Sequence, residues 1–239
     1  EFGLSIAGRD DLIAWTTRAP HLADALAALL ELDAQTLERV SQRSIESIVE
    51  HANEPSTSVL PESAGATLCT ELRVLQRGRT QWAAYERLAE RVLRYLFPHD
   101  LHGWHRQRRT DDGLNRFDLV CRVKPTSEFW QFLIQHLGTR YVLFEFKNYA
   151  RPIKQGQILT TEKYLLEKGL RRTAILFTRA GAGPDAQGMA KGAMREQGKL
   201  MIVLDDDKVC EMLHMRDRGE DPSDLLFSVA DDFLLALPR

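Results

Sequence analysis

Residues 141–149 read Tyr-Val-Leu-Phe-Glu-Phe-Lys-Asn-Tyr, and they combine the alternation of a β-strand with two charged side chains. Successive side chains of a β-strand point to opposite faces, so the apolar residues at 142, 144 and 146 share one face and Glu145 and Lys147 share the other. Charged groups on an apolar strand are costly to bury unless they are paired or bind a metal. The stretch therefore predicts a buried strand over 141–147 that carries chemistry.

A second acidic strand precedes the first. Residues 116–123 alternate apolar and polar side chains, and Asp118 interrupts the apolar pattern. If the two strands are neighbours, Asp118 and Glu145 form a site of hard oxygen ligands that suits Mg²⁺. Lys147, two residues beyond Glu145, could then orient or help deprotonate the attacking water. A metal with these groups is the equipment for hydrolysing a phosphodiester, which predicts a metal-dependent hydrolase.

Further elements surround these two strands. Asp205-Asp206-Asp207 is expected to cap a helix that begins near Lys208. Strands that alternate with helices predict an α/β fold with a mixed central sheet flanked by helices. The sequence predicts helices over 79–97, 127–137, 155–168 and 184–197, strands over 105–110, 173–178 and 200–204, and two C-terminal helices.

The first seventy residues differ in character from the rest. Residues 10–52 have the pattern of helices, and residues 53–67 are rich in Ser, Pro and Gly, which predicts a loop or linker. We therefore expect residues 1–70 to form a helical accessory region with its linker, and residues 71–239 to form the catalytic domain. The chain opens on Glu1-Phe2 without Met, so we expect a fragment or a trimmed form of a longer polypeptide.

Charge is strongly segregated along the chain. The formal net charge is -2, but residues 72–199 carry 24 Lys+Arg against 12 Asp+Glu, a net of +12. The flanking segments 1–71 and 200–239 have net charges of -8 and -6. A basic middle third is typical of a surface that neutralises phosphates, although basic side chains could equally serve only to solvate the domain.

Cysteine usage and hydropathy bear on location. The cysteines Cys69, Cys121 and Cys210 show neither a disulfide framework nor metal-binding spacing, which favours a reducing cytoplasm. The sequence shows no stretch of the apolar length that crosses a bilayer and no basic-then-apolar start of a signal peptide. A cytoplasmic location is therefore expected.

These motifs resemble a known family. Phe117-Asp118-Leu119-Val120, followed by Val142 to Tyr149, resembles the D…ExK core of PD-(D/E)xK, or restriction-endonuclease-like, nucleases. The run from Glu145 to Gln157 is especially similar to the bacterial restriction-type branch. The resemblance spans residues 77–205, and the predicted α-β-β-β-α-β order matches the family core. It implies a DNA endonuclease that uses Mg²⁺ or Mn²⁺, in a bacterial cytoplasm.

The resemblance also implies roles for individual residues. Asp118 and Glu145 would bind the metal, the carbonyl of Phe146 would be a further ligand, and Lys147 would position the water. Glu86 matches the carboxylate that many members carry on the first core helix, where it would complete or support the site. Gln157 is the nearest match to the polar catalytic residue of the following helix, but residues 160 and 161 occupy the positions compared first, so this role stays open.

Basic residues around the motifs could contact DNA phosphates, which would position the duplex without reading its sequence. They could equally be exposed charges of strands and loops. The candidates are Arg106, Arg108, Arg109, Arg151 and Lys154.

Several alternatives remain at this point. Restriction or antiphage defence is the expected setting, followed by DNA repair or recombination. A non-catalytic nucleic-acid-binding module could keep the fold, and an RNA-directed nuclease could use the same site, although no RNA-recognition motif with paired aromatics is present. Many relatives act as dimers, but the sequence leaves open whether this chain forms a homodimer or answers to a regulatory domain or partner protein.

Overall fold

The computed structural model describes residues 63–106 and 117–238. The predicted helices of residues 10–52 lie outside the described residues, as does part of the predicted strand over 105–110. The chain divides into two compact units, residues 1–60 and residues 61–239, and the architecture below is that of the second.

The described residues form five strands and seven α-helices in a largely alternating order. In chain order they are α1 (Ala64–Val74), a 3-10 turn (Arg79–Gln81), α2 (Trp82–Leu96), β1 (Leu101–Arg106), β2 (Leu119–Val123), α3 (Glu128–Leu137), β3 (Tyr141–Lys147), α4 (Gln155–Tyr164), a 3-10 turn (Glu167–Gly169), β4 (Thr173–Thr178), α5 (Pro184–Gln197), β5 (Leu200–Leu204), α6 (Asp206–Asp217) and α7 (Ser223–Leu235).

The five strands form one mixed sheet in the order β1-β2-β3-β4-β5. The pairs β1–β2 and β2–β3 are antiparallel, whereas β3–β4 and β4–β5 are parallel. Helices α4 and α5 connect the parallel strands. This arrangement confirms the predicted α/β class with a mixed sheet flanked by helices, and α2 with the strands that follow gives the predicted α-β-β-β-α-β order once the inserted α3 is set aside.

The period of two in the strands separates two apolar layers. Side chains at 142, 144 and 146 of β3 join the core beneath α1, α2, α3, α6 and α7, and side chains at 119 and 121 of β2 join the same core. Leu143 and Val120 face the opposite layer, which α4 and α5 cover. Glu145 and Lys147 follow Leu143 at intervals of two, so the alternation assigns them to the α4 face of the sheet.

Helix α1 corrects the sequence-based boundary. Residues 64–67 belong to this helix, so the loop predicted over 53–67 is wrong at its end, and the predicted boundary at 70/71 falls inside α1. Helix α1 lies directly against α6: a side chain on Gly65 would come within 2.5 Å of the Leu213 carbonyl oxygen, so only glycine permits this approach. The weak periodicity of a short helix that begins in a Ser- and Gly-rich segment explains the miss.

A disulfide joins α1 to α6. Cys69 and Cys210 are bonded across a sequence separation of 141, and Cys121 is a buried free thiol. The sequence-based expectation that the cysteines form no disulfide is therefore wrong, because the pair meets only in the folded chain. Cysteine spacing no longer supports a reducing cytoplasm, and the cellular location stays a prediction. Within residues 63–106 and 117–238, no helix is long and apolar enough to cross a membrane.

Two predicted elements differ at their ends. Strand β1 begins at Leu101, four residues before the predicted start, because the buried Leu101 pairs with Val123 of β2. Helix α4 ends at Tyr164 instead of 168, since Leu165 takes an extended conformation and a separate 3-10 turn follows. The remaining described helices and strands lie within a few residues of their predicted positions.

Candidate active site

Asp118, Glu145 and Lys147 meet where β2 begins and β3 ends. The antiparallel register places Leu119 opposite Phe144, which brings Asp118 beside the end of β3. The Lys147 Nζ donates to Glu145 Oε2 at 2.6 Å and lies 3.4 Å from Asp118 Oδ2. The same Asp118 oxygen accepts a hydrogen bond from the Phe146 backbone N–H at 2.9 Å. The structure thus brings the three predicted residues together.

This trio has one cationic group for two carboxyl groups. Glu145 is only 3% exposed, and a single ammonium group faces two carboxyl groups. Burial raises the pKa of Glu145 to about 7, even though Lys147 lowers it. Burial alone would lower the pKa of Lys147, but the two carboxylates outweigh it and raise that pKa. Lys147 therefore stays protonated at neutral pH, and the trio is short of one positive charge when both carboxylates are ionised.

The carboxylates suit a divalent cation. Glu145 Oε1 is buried and has no hydrogen-bond partner, although a buried carboxylate oxygen ordinarily has one. An unpartnered oxygen beside a second carboxylate is a fit for Mg²⁺ or Mn²⁺, which take oxygen ligands and retain several waters. No group of three His, Cys, Asp or Glu side chains in the described part of the chain is close enough to hold a metal. The donor set is therefore two carboxylates, and the Phe146 carbonyl as a further ligand stays a prediction.

Glu86 borders the same site but does not complete it. A cleft of about 290 Å³ beside the trio is lined by Ala83, Glu86, Arg87, Glu90, Arg106, Asp118, Leu119 and Phe146. Glu86 thus opens onto the same cleft as Asp118, as the first core helix was predicted to arrange. Because no three-carboxylate cluster exists among the described residues, direct ligation by Glu86 together with Asp118 and Glu145 is absent from this arrangement, and a supporting role stays a prediction.

Glu90, which the sequence reading missed, lies one turn further along α2. It is buried, accepts hydrogen bonds from Arg94 and forms an ion pair with Arg106. Arg106 therefore lines the cleft, but its guanidinium is already engaged by a carboxylate, and its contact with phosphate stays a prediction. A position four residues after Glu86, on the same helix face, was the available signal for Glu90.

Helix α4 carries Gln157 at its first turn, where its catalytic role stays a prediction, and Tyr164 at its last residue. The Gln157 side-chain oxygen accepts from the backbone N–H of Lys154 and thereby caps the helix, so the structure gives Gln157 a structural role. Tyr164 instead lies near the trio: partial burial and the charge of Glu145 raise the pKa of its hydroxyl. Its ring packs edge-on against Phe117, with centroids 5.2 Å apart, directly before Asp118.

The other predicted phosphate-binding residues fall in two groups. Arg151 and Lys154 are exposed in the segment that follows β3, immediately after the trio. Arg108 and Arg109 lie outside the described residues. The structure therefore places Arg106 on the cleft and leaves Arg151 and Lys154 exposed in the segment after β3, without showing what any of them binds.

A buried polar network adjoins Lys147. Asn148 donates through Nδ2 to the carbonyl oxygens of Gln76 and Gly78, and it accepts from Arg179 Nη1 at 2.9 Å. Arg179, 2% exposed, also contacts both carboxylate oxygens of Asp206 at 2.8–2.9 Å. These residues follow β3, β4 and β5, whose carboxyl ends share one edge of the sheet. Asp205 caps α6 as predicted, whereas Asp206 turns inward to Arg179.

Comparison with known proteins adds little to this geometry. No family model matches the chain, and no curated protein matches it. Among solved structures, the restriction endonuclease FokI bound to DNA is similar to 70% of this chain, with 12% sequence identity and a TM-score of 0.44. The chain spans 32% of the length of that structure. A likeness at this level carries no functional conclusion, so function is argued below from the site alone.

Proposed function

We propose that this chain is a metal-dependent endonuclease that hydrolyses phosphodiester bonds of DNA. The observation that carries the proposal is the trio itself: two carboxylates from neighbouring strands share one ammonium group, and a buried Glu145 oxygen lacks a partner. A structural ion pair needs neither the second carboxylate nor an unsatisfied oxygen. A cation site for phosphate hydrolysis uses both.

Each residue then has a distinct task. Asp118 and Glu145 would hold Mg²⁺ or Mn²⁺, which lowers the pKa of water and stabilises charge on the phosphate oxygens. Lys147 has a raised pKa, so it would act as a hydrogen-bond donor to the attacking water or to a phosphate oxygen and not as a base. The Phe146 N–H fixes the Asp118 carboxylate, and Glu86 would support the site from the facing helix.

Charge supports a nucleic-acid substrate. Residues 72–199, which contain the sheet up to the start of β5 and the trio, have a net charge of +12. Arg151 and Lys154 are exposed immediately after β3, where they would contact phosphates near the scissile bond. DNA is the proposed substrate, with restriction or antiphage defence as the setting and DNA repair or recombination as the alternative setting.

A cleavage assay tests the proposal. The full chain is incubated with supercoiled plasmid or with structured RNA, in Mg²⁺, Mn²⁺ or EDTA, and products are separated on gels. We expect nicking or linearisation of DNA only with a metal, and loss of at least about 100-fold in rate for Lys147→Ala and Asp118→Asn. Lys199→Ala is the matched control, because Lys199 is similarly buried and also faces a carboxylate, Glu162, outside the site.

The outcomes separate the alternatives. Cleavage that survives both substitutions, or that persists in EDTA, would sink the assignment of the trio. DNA binding without cleavage under every metal condition would favour the non-catalytic module. Cleavage confined to RNA would keep the site and change the substrate.

A further inference from the structure

Two exposed aromatic rings belong to segments that adjoin residues of the candidate site. Trp82 is 49% exposed and Tyr149 is 42% exposed. Trp82 shares the apolar face of α2 with Tyr85, Ala89, Val92, Leu93 and Leu96, which are buried, but Trp82 itself stays open. Trp and Tyr are enriched at interfaces, so a half-exposed indole near the candidate site is available to a partner.

Hydrogen bonds join the two segments that carry these rings, and each segment adjoins a residue of the candidate site. Trp82 precedes Glu86 by four residues on α2, so it lies about one helical turn, roughly 5.4 Å, above a residue that lines the cleft with Asp118. Tyr149 lies two residues beyond Lys147. The segment leading to Trp82 is tied to the segment of Tyr149, since the Gly78 N–H donates to the Asn148 carbonyl oxygen at 2.8 Å and Asn148 Nδ2 donates back to Gly78.

Cations surround these rings. Arg79 begins the 3-10 turn before Trp82, and Arg151 follows Tyr149 by two residues. Arg87, five residues after Trp82, lines the cleft. All three arginines are exposed, and no ion pair in the part of the chain that the structure describes joins any of them to a carboxylate. Proteins that bind single-stranded nucleic acid commonly combine basic side chains, which contact the phosphates, with aromatic rings, on which any base can stack.

We propose that Trp82 and Tyr149 form a stacking surface for unpaired bases next to the scissile phosphate, so that the enzyme selects DNA that is single-stranded or unpaired at the cut. This inference rests on the proposed nuclease function and names its substrate class. A fully paired duplex keeps its bases stacked on each other and leaves both rings unused. An unpaired strand instead places its phosphates along the arginines and its bases on the rings.

A binding assay in EDTA tests the surface without cleavage. The full chain is titrated, by fluorescence anisotropy, against a single-stranded oligonucleotide, the same strand with abasic sites throughout, and a blunt duplex of equal length. Trp82→Ala and Tyr149→Ala should each weaken binding of the single strand roughly 5- to 100-fold, the range for loss of one base–aromatic stack. Binding of the abasic strand and of the duplex should change by less than about twofold, and Trp82→Phe should restore most of the affinity.

Tyr141→Ala is the matched control. Tyr141 is 37% exposed but begins β3, about 20 Å from Lys147 along the strand. Its replacement should therefore leave the affinity for all three oligonucleotides unchanged. The inference is overturned if the Trp82 and Tyr149 variants bind all three oligonucleotides more weakly by the same factor. It is also overturned if, like Tyr141→Ala, they leave every affinity unchanged. Thermal unfolding of each variant shows whether the chain is folded.

Failure of the two proposals can be distinguished. If the parent protein cleaves paired and unpaired DNA with equal kcat/KM, and Trp82→Ala leaves both values unchanged, the stacking surface is refuted while the nuclease stands. If no metal supports cleavage, the nuclease fails, and base-dependent binding in EDTA still reports on the rings.

Discussion

Removal of the Arg179 guanidinium should destabilise the protein strongly. In Arg179→Met the side chain keeps much of its apolar volume but loses contacts to Asp206, to Asn148 and to the carbonyl oxygens of Leu72 and Leu75. Truncating one partner of a buried ion pair costs about 3–5 kcal/mol, and each buried acceptor left without a donor costs about 1–3 kcal/mol.

Two features limit the loss. Arg77 Nη2 lies 3.2 Å from Asp206 Oδ2, so the carboxylate keeps one cation. Burial also raises the pKa of Asp206, which makes protonation of the abandoned carboxylate easier. Among the described residues, the Leu72 and Leu75 carbonyl oxygens and Asn148 Oδ1 have no second donor of this kind. We therefore expect the free energy of unfolding to fall by about 3–5 kcal/mol.

Equilibrium unfolding in urea, followed by tryptophan fluorescence under one redox condition, measures the loss. The matched control is Arg73→Met, since Arg73 pairs with Asp207 on the surface, where both side chains are more than half exposed. An exposed pair contributes about 0–1 kcal/mol. A loss for Arg179→Met no larger than that of Arg73→Met would refute the view that Arg179 holds the end of α1 to the sheet edge.

Two further predictions concern Glu145 and the disulfide. In the metal-free protein Glu145 keeps its proton up to a pKa of about 7, above its value in the unfolded chain, so the folded state binds more protons between about pH 4.5 and 7. The contribution of Glu145 to the free energy of unfolding should therefore fall by on the order of 3 kcal/mol as pH rises through that window. Glu145→Gln should lose this pH dependence. Urea denaturation measures both proteins, and parallel pH profiles would contradict the prediction. Replacing Cys69 and Cys210 by Ala should lower stability by about 4–5 kcal/mol because the bond closes a long loop, and alkylation of three thiols in unreduced, denatured parent protein would rule the bond out.

The sequence predicted strand β3 well because its signal is local. Strand β3 occupies residues 141–147 as the alternation indicated, and the period of two places Glu145 and Lys147 together on its α4 face. Asp118 was found for the same reason, since one acidic residue interrupts an otherwise apolar run. Buried parallel strands are almost wholly apolar, and β4 and β5 followed from that pattern.

Long-range partners could not be found in this way. Arg179 directly follows an apolar strand, but its role depends on Asp206 and Asn148, which meet it only when three strand ends align. The disulfide has the same character. Periodicity places Trp82 on the apolar face of α2, but it does not show that this face leaves the protein interior at the first turn.

The attachments of helix α1 bear on how the candidate site responds to force. The helix is about 16 Å long and is attached at three points. The Asp217 carboxylate accepts hydrogen bonds at its first turn, the Cys69–Cys210 disulfide holds its middle, and Arg179 donates to its last turn. A force on the chain at Ser63 is borne by these three attachments before it reaches Asn148 and Lys147. We therefore expect α1 to carry such tension, so that the side chains of the candidate site keep their positions.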